Sequence, residues 1–309
     1  MHIVCLYLHY ASPDCPSGGR AYSVLRALGQ AHRVTVFTGA HYHKLRQTKA
    51  FDWAPPGVDV QMLDVPYTNE MGPVQRLAAY ATFPAWAGAH ACRVPDADVL
   101  YAISTPLTTP MAAAAAARIL DVPWVLEVRD LWPDVPIQMG ALPSPLLQRL
   151  LRWAERRLYH DAAHVITVSP DMTTHVESTG VPSAQVTTLP QGTDCALLDR
   201  PDASSPADLR AAHRLGSRPV VLYAGAFGRA NDIPTLLAAA DRLAGRSEAL
   251  FVFIGHGYHA SDIETAAHRL PNVRHIPPQP RHRMMPWFRL ATVSLVSFID
   301  PPVLGTHAP

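Results

Sequence analysis

Residues 219–243 read PVVLYAGAFGRANDIPTLLAAADRL. The run from Pro219 to Ala224 is apolar and of strand length. Gly225 to Asp232 is a glycine-opened loop, and Ile233 to Leu243 returns leucine and alanine with helical propensity. Strand, glycine loop, helix is the opening of a βαβ unit, the building block of a parallel sheet. The next apolar run, Leu250–Ile254, ends at Gly255-His256-Gly257, and Val273–Ile276 and Val293–Phe298 supply two more strands.

The same grammar opens the chain. Residues 3–8 (IVCLYL) form a strand, Ala11 to Gly19 is rich in turn formers, and a helix begins at Arg20 with Tyr22, Val24, Leu25 and Leu28 near one face. RVTVFT at 33–38 alternates as a strand. Further along come a strand at Asp98–Ile103, a helix at Met111–Leu120 and a strand at Pro123–Arg129. A helix over Pro145–Tyr159 and a strand at His164–Val168 follow. Strands alternating with helices imply an α/β protein whose parallel sheets are covered on both faces. Gln191-Gly192-Thr193-Asp194 closes this first half, and Arg200–Leu215 is polar, rich in Pro, Ser and Ala, and without a strand. The expected division is therefore 1–195 and 196–309, two nucleotide-fold halves of which the second is the shorter.

Bulk properties agree and narrow the partners. A chain of 309 residues, 48% hydrophobic and 17% charged, is long enough for two domains. Lys plus Arg number 26 against 25 Asp plus Glu, without the basic excess of a general nucleic-acid binder. Cys5, Cys15, Cys92 and Cys195 form no Cys-x-x-Cys pair, which argues against a zinc ribbon or disulfide framework and fits a reducing cytoplasm. Met1 to Leu8 lacks a basic n-region and a cleavage site, and no apolar run approaches the roughly 20 residues that span a bilayer. A cytoplasmic protein is expected, with peripheral contact to the inner face of the plasma membrane.

Several motifs invite chemistry. Ser17-Gly18-Gly19 stands where the first strand hands over to a helix, where glycine lets backbone amides approach a phosphate. A plain tight turn competes evenly with that reading, since neither Gly-x-Gly-x-x-Gly nor a Walker loop is present. In the second loop Arg229 can meet a diphosphate in a fork, against the blander reading of a surface arginine. Glycine loops in both halves make a diphosphate site more probable than either alone. Arg129-Asp130-Leu131-Trp132-Pro133-Asp134 follows a strand end, where open α/β sheets bind ligands, although such a pair also ties down loops. Asp96-Ala97-Asp98 opens a strand instead of ending one, so a metal on this pair is rejected. His41, His43, His256, His259, His275 and His282 are expected in loops, not on zinc. The helix Leu146–Leu158, with Arg149, Arg152, Arg156 and Arg157, can lie on anionic lipid as a basic amphipathic helix, but the commoner outcome is to pack its leucines on the sheet and expose its arginines. Val74–Cys92, with Phe83 and Trp86, is the better candidate for a lipid- or acceptor-facing surface.

Taken in order, Ser17-Gly18-Gly19-Arg20, HRVTVFTG, STPLTTP, EVRDLWPD, HVITVSPDM, LPQGTD, VVLYAGAFGRANDIPTLLAAADRL, FVFIGHG and NVRHIPPQPRHRMM resemble glycosyltransferase family 4 over nearly the whole chain. The resemblance is nearest to members that build bacterial O-antigen, capsule and exopolysaccharide. It implies a GT-B fold of two Rossmann-like domains and a retaining, metal-independent transfer from a nucleotide-diphosphate sugar, UDP-linked, to a glycan or lipid-linked acceptor. It implies that Gly18, Gly19, Gly225, Gly228 and Arg229 approach the donor diphosphate. Gly255 and Gly257 would also border the donor, as would Ile276 and Pro277, the latter two within a stretch from Val273 to Met285 near the base. Arg129 and Asp130 take the catalytic positions, and Arg20 and Trp132 the acceptor side. No cofactor or metal is implied.

Two departures stand out. Many relatives carry Arg and Lys where this chain has Ala226 and Asn231. VSFIDPPVLGTHAP also stops where relatives continue into a Lys-bearing helix and a Glu-(seven residues)-Glu motif, with Leu304 at the first glutamate's position. The expectation is a C-terminally truncated donor half, which raises a non-catalytic binding homologue as the alternative. A sugar-nucleotide epimerase on the same fold ranks third, because no acid/base pair is evident. A dehydrogenase ranks last for want of the dinucleotide fingerprint.

Overall fold

β1 (His2–Leu6) is buried along its whole length, as a strand covered on both sheet faces must be. Parallel neighbours flank it: β2 (Arg33–Gly39) with Ile3 opposite Val34, and β4 (Val99–Ile103) with Ile3 opposite Val99. The computed structural model describes residues 1–12, 15, 19–40, 53–67, 71–192, 205–246 and 248–299. They form two compact units, the first within 1–192 and the second within 205–299.

In the first unit β3 (Val58–Leu63), β5 (Trp124–Val128), β6 (His164–Thr167) and β7 (Val186–Thr188) complete a parallel sheet of order β3-β2-β1-β4-β5-β6-β7. Its helices are α1 (Arg20–Gly29), α2 (Pro73–Ala91), α3 (Thr108–Leu120), α4 (Asp134–Gln138), α5 (Pro145–Asp161) and α6 (Pro170–Ser178). The chain winds outward from β1 to β3, then returns to place β4 on the other side of β1. That reversal is a topological switch point, where loops diverge and leave a crevice.

The second unit repeats the path on a smaller scale. Its strands β8 (Val220–Ala224), β9 (Leu250–Ile254), β10 (Val273–Ile276) and β11 (Val293–Leu295) run parallel in the order β10-β9-β8-β11. Helices α7 (Pro206–Ala212), α8 (Ile233–Leu243), α9 (Ala260–Arg269) and α10 (Met285–Leu290) accompany them. Alternate strand residues feed two cores, Tyr223 and Phe253 with Ile263 on one face, Leu222, Val252 and Ile254 with Trp287 on the other.

Some elements differ from the sequence reading. α7 lies in the stretch that the sequence marks only as polar and without a strand. A capping box starts it: Ser205 Oγ accepts from the Asp208 amide while the Asp208 carboxylate accepts from the Ser205 amide. β11 stops at Leu295, short of Phe298. In α2, Phe83 is fully buried and Trp86 packs edge-on against Phe37 at 5.6 Å, so the aromatic face expected to meet lipid or acceptor belongs to the core. α5 behaves oppositely: Ala154, Glu155, Leu158 and Tyr159 face inward, while Leu146, Leu147, Leu150 and Trp153 are exposed. Among the described residues no helix is long and apolar enough to cross a membrane.

A buried acid sits on the inner face of α5. Glu155 accepts from Tyr159 Oη at 2.7 Å and lies 3.4 Å from His175 Nε2 on α6. Hydrogen bonding to Glu155 raises the His175 pKa from 6.5, and its charge and that of Asp134 add to this against partial burial and Arg156. A histidine with a raised folded-state pKa stabilises fully below its unfolded pKa and loses that contribution as pH rises through the folded value. The wild type is therefore expected to exceed a His175→Ala variant in stability most clearly below pH 6.5, the gap narrowing on the alkaline side. Urea unfolding at a series of pH values measures this, and a gap that widens with pH would contradict it.

Candidate active site

A cavity of about 300 Å³ opens at the carboxyl ends of the central strands of the first unit, lined by Tyr7, His9, Tyr67, Ser104, Thr105, Arg129 and Asp130. Tyr7 and His9 follow β1, Ser104 and Thr105 follow β4, and Arg129 and Asp130 follow β5. Three adjacent strands thus deliver their first loop residues to the switch point, where this fold class holds ligands.

Arg129 is held by two neighbours, Ser104 and Tyr7. Its amide donates to Ser104 Oγ at 3.0 Å, its Nη1 donates to Tyr7 Oη at 2.7 Å, and its guanidinium carbon lies 5.5 Å from the Tyr7 ring centroid. Beside it, Thr105 Oγ1 donates to Asp130 Oδ2 at 2.5 Å. Thr105 has φ 111°, a conformation rare outside glycine, and such outliers persist where the surroundings over-determine them. His9 meets Tyr67 edge-on at 4.9 Å, and Tyr67 Oη is 3.0 Å from Tyr80 Oη. Burial pushes the Tyr80 phenol well above its ordinary range, so it stays neutral. Trp132 packs edge-on against Tyr80 at 6.1 Å, beside this wall. A fixed cation, a carboxylate, hydroxyls and aromatic faces in one crevice suit a polyhydroxylated ligand carrying negative charge.

Beneath the cavity lies a charge pair that sequence reasoning did not assemble. Glu127 on β5 is fully buried, and a carboxylate there needs compensation. Arg20 Nε donates to Glu127 Oε1 at 2.8 Å, Tyr101 Oη donates to Oε2, and Arg129 Nε is 3.9 Å from Oε1. Arg20 Nη1 also donates to the Pro190 carbonyl at 2.8 Å. The Arg20 side chain is only 4% exposed, so this residue, expected on the acceptor side, is turned into the protein. Its Nη2 finds no hydrogen-bond partner among the described residues. Gly19 is the N-cap of α1, its carbonyl accepting from the Ser23 amide at 3.0 Å. Ser17 and Gly18 lie outside the described residues.

In the second unit the expected glycine turns meet at the ends of β8 and β9. The Gly225 amide donates to the Ile254 carbonyl at 3.0 Å, Phe227 N–H to the His256 carbonyl at 3.0 Å, and His259 N–H back to the Phe227 carbonyl at 3.0 Å. A Cβ on Gly255 would lie 1.9 Å from the Gly225 oxygen, and one on Gly257 2.9 Å from the Phe227 backbone, so only glycine fits either turn. Asn231 Oδ1 accepts from the Gly228 amide at 3.1 Å, and Asn231 Nδ2 donates to the Ser297 carbonyl at 3.3 Å. Asn231, noted as replacing a cation, therefore fastens the loop to the segment after β11. Arg229 is exposed and its guanidinium stacks 4.2 Å from the Tyr258 ring centroid.

Ile276 requires correction. Expected to border the donor, its side chain is buried in the core with Leu222, Ile254 and Trp287, and only its carbonyl faces the turns, accepting from Gly255 N–H at 3.2 Å. Pro277 is exposed beyond it. Two histidines expected in loops differ: His275 lies on β10, with Nε2 3.2 Å from the Gly255 carbonyl, and His282 lies in a 3-10 helix over Arg281–Arg283. His259 stays in the turn before α9, with Nδ1 2.7 Å from Asp262. His41, His43 and Leu304 lie outside the described residues. Asp96 and Asp98 sit at the entry end of β4, away from the cavity, with Asp98 accepting from the His2 amide at 2.6 Å. Among the described residues no group of three His, Cys, Asp or Glu could hold a metal ion.

The model of the glycosyl transferase 4-like domain matches residues 18–192. A search of curated proteins finds no match. Among solved structures, Anabaena HepE in complex with UDP-glucose is 18% identical with a TM-score of 0.67, over 97% of this chain and 75% of that one. Sucrose-phosphate synthase from Thermosynechococcus elongatus is 17% identical with a TM-score of 0.69, over 97% and 76%. UDP-GlcNAc 2-epimerase from Neisseria meningitidis, bound to UDP-GlcNAc, is 17% identical with a TM-score of 0.59, over 95% and 76%. At such identities the likeness is one of fold.

Proposed function

The chain belongs to the glycosyl transferase 4-like family and has the GT-B fold, and from that premise we propose a retaining transfer of a hexosyl or N-acetylhexosaminyl group from a UDP-sugar to a glycan or lipid-linked acceptor. In this reading the protein works in the cytoplasm at the inner face of the plasma membrane, in polysaccharide biosynthesis, without a metal. The observation that carries the reading is the first-unit cavity, in which Arg129 and Asp130 stand side by side at the switch point. Arg129 holds negative charge, and Asp130 accepts a hydrogen bond from a sugar hydroxyl, as it already does from Thr105. The glycine turns at Gly225, Gly228, Gly255 and Gly257 keep the backbone clear of side chains, and with Arg229 and Pro277 they receive the donor. UDP-glucose bound to HepE supports the choice of donor class. Developing charge on the leaving diphosphate is the main thing to stabilise, and the diphosphate itself helps take the acceptor proton.

Thermal shift with UDP, UDP-glucose and UDP-GlcNAc tests the reading, because a ligand at 100 times its Kd adds about 2.7 kcal/mol of stability. Arg229→Ala is expected to weaken UDP binding about tenfold, a charge-assisted contact being lost. Arg129→Ala is expected to leave UDP binding near wild type and to lower transfer on the order of a hundredfold. No stabilisation by any sugar nucleotide would overturn the reading. Conversion of a UDP-sugar in the absence of acceptor would assign an epimerase instead.

A further inference from the structure

We infer that the outer face of α5 docks on an anionic lipid surface. Leu146, Leu150 and Trp153 recur at i, i+4 and i+7, so they share one stripe of the helix. They are 79%, 56% and 64% exposed. Arg149, Arg156 and Arg157 are also exposed along the same helix. Its acids oppose none of this charge: Glu155 is buried, and Asp161 at the C-terminal end pairs with Arg118. An apolar stripe crowned by tryptophan, with cations alongside and no free carboxylate, has the chemistry of an interfacial helix. Charge complementarity selects the occupant, since acidic headgroups meet the arginines while the stripe enters the acyl boundary. α2 also exposes Val74 and Leu77, but only Arg76 accompanies them and the rest of its apolar face is core.

The docked helix is coupled to the cavity loop. Arg152 Nε on α5 donates to Asp134 Oδ1 at 2.9 Å, and Asp134 ends the segment that carries Arg129, Asp130 and Trp132. The inference deepens the membrane part of the proposed function, yet its argument rests on α5 alone.

The test is co-sedimentation of the chain with vesicles of phosphatidylethanolamine and phosphatidylglycerol, against phosphatidylcholine vesicles. Binding is expected to the anionic vesicles and to fall as salt rises. Each arginine near such a surface contributes roughly fivefold to partitioning, so Arg149→Gln, Arg156→Gln and Arg157→Gln together should weaken binding about a hundredfold. Trp153→Glu should weaken it at least tenfold. All four positions are exposed, and an unchanged melting temperature shows that the fold is kept. Leu150→Gln provides an independent second probe of the stripe. Anionic vesicles bound no better than neutral ones, or bound equally by the arginine and Trp153 variants, would overturn the inference. So would a dimer in sedimentation velocity that Trp153→Glu dissociates without any vesicle binding, which would assign the face to a second copy. UDP binding by the same variants is expected to stay unchanged, so failure on vesicles and failure of the transfer reading are told apart.

Discussion

Glu127→Ala is expected to cost about 3–5 kcal/mol of stability, because it strands a buried guanidinium. Arg20 and Glu127 are 4% and 1% exposed at their side chains, so solvent cannot replace the lost partner. Tyr101 loses its acceptor in the same step. The pair was costly to bury, and the penalty falls on whichever charge remains. Glu127→Gln keeps an oxygen for Arg20 or Tyr101 and should cost less, about 1–3 kcal/mol. The double replacement Arg20→Met with Glu127→Leu removes both charges and should be milder than Glu127→Ala, as buried ion pairs exchanged for apolar groups often are. Urea unfolding of the three variants decides the matter: a double variant as unstable as Glu127→Ala would mean that shape, not charge, is at stake. Arg129 Nε also faces Glu127 at 3.9 Å, so Glu127→Gln should lower transfer more than UDP binding, the mark of a positioning residue.

Gly255→Ala is the second large effect, expected near ~3 kcal/mol. The new methyl would sit 1.9 Å from the Gly225 carbonyl oxygen and 3.1 Å from the Phe227 ring. Neither neighbour can swing aside, since Gly225 is the first residue after β8 and Phe227 is fully buried. The backbone at Gly255, φ 156°, adds strain for any side chain. β8 and β9 must separate at their carboxyl ends, where the turns proposed to receive the donor are built. UDP binding should therefore fall with stability. Gly216→Ala supplies the comparison, because Gly216 has φ 63° and a methyl added there would meet nothing within 4 Å. That change carries the dihedral penalty alone, about 1 kcal/mol. Equal losses at the two glycines, measured by thermal and urea unfolding, would rule out the steric account.

Much of the architecture is legible in the sequence because its signals are local. Leu250–Ile254, Val273–Ile276 and Ile233–Leu243 have the same bounds in sequence and structure, each being an uninterrupted apolar or leucine-alanine run beside a glycine or a cap. Short edge strands and polar helices are not legible in this way. β7, with Val186, Thr187 and Thr188, has too little pattern to stand out, and α7 depends on a capping box within a Pro/Ser-rich stretch. The candidate site is legible in part. Arg129 and Asp130 follow a recognisable strand, so the switch-point rule reaches them. Tyr7, His9, Ser104 and Thr105 obey the same rule, but only the order β1-β4-β5 brings their strands side by side. The pairing of Arg20 with Glu127 spans 107 positions and leaves no mark in spacing. Ile276 misleads for a different reason: on a short parallel strand, one residue separates a core side chain from an exposed one.

The central place of β1 also sets a timetable for synthesis. One of its edges is satisfied by β2, about thirty residues later, but the other waits for β4, across the 96 positions that separate His2 from Asp98. At roughly 5–20 residues per second, that interval lasts on the order of 5–20 s. During it the strand HIVCL presents an unpaired hydrogen-bonding edge on a ribosome-bound chain. The strand that organises the finished sheet is thus an aggregation hazard while the chain is being made. Slower translation between β1 and β4 would lengthen that exposure, and a chaperone that shields apolar strands would act there to greatest effect.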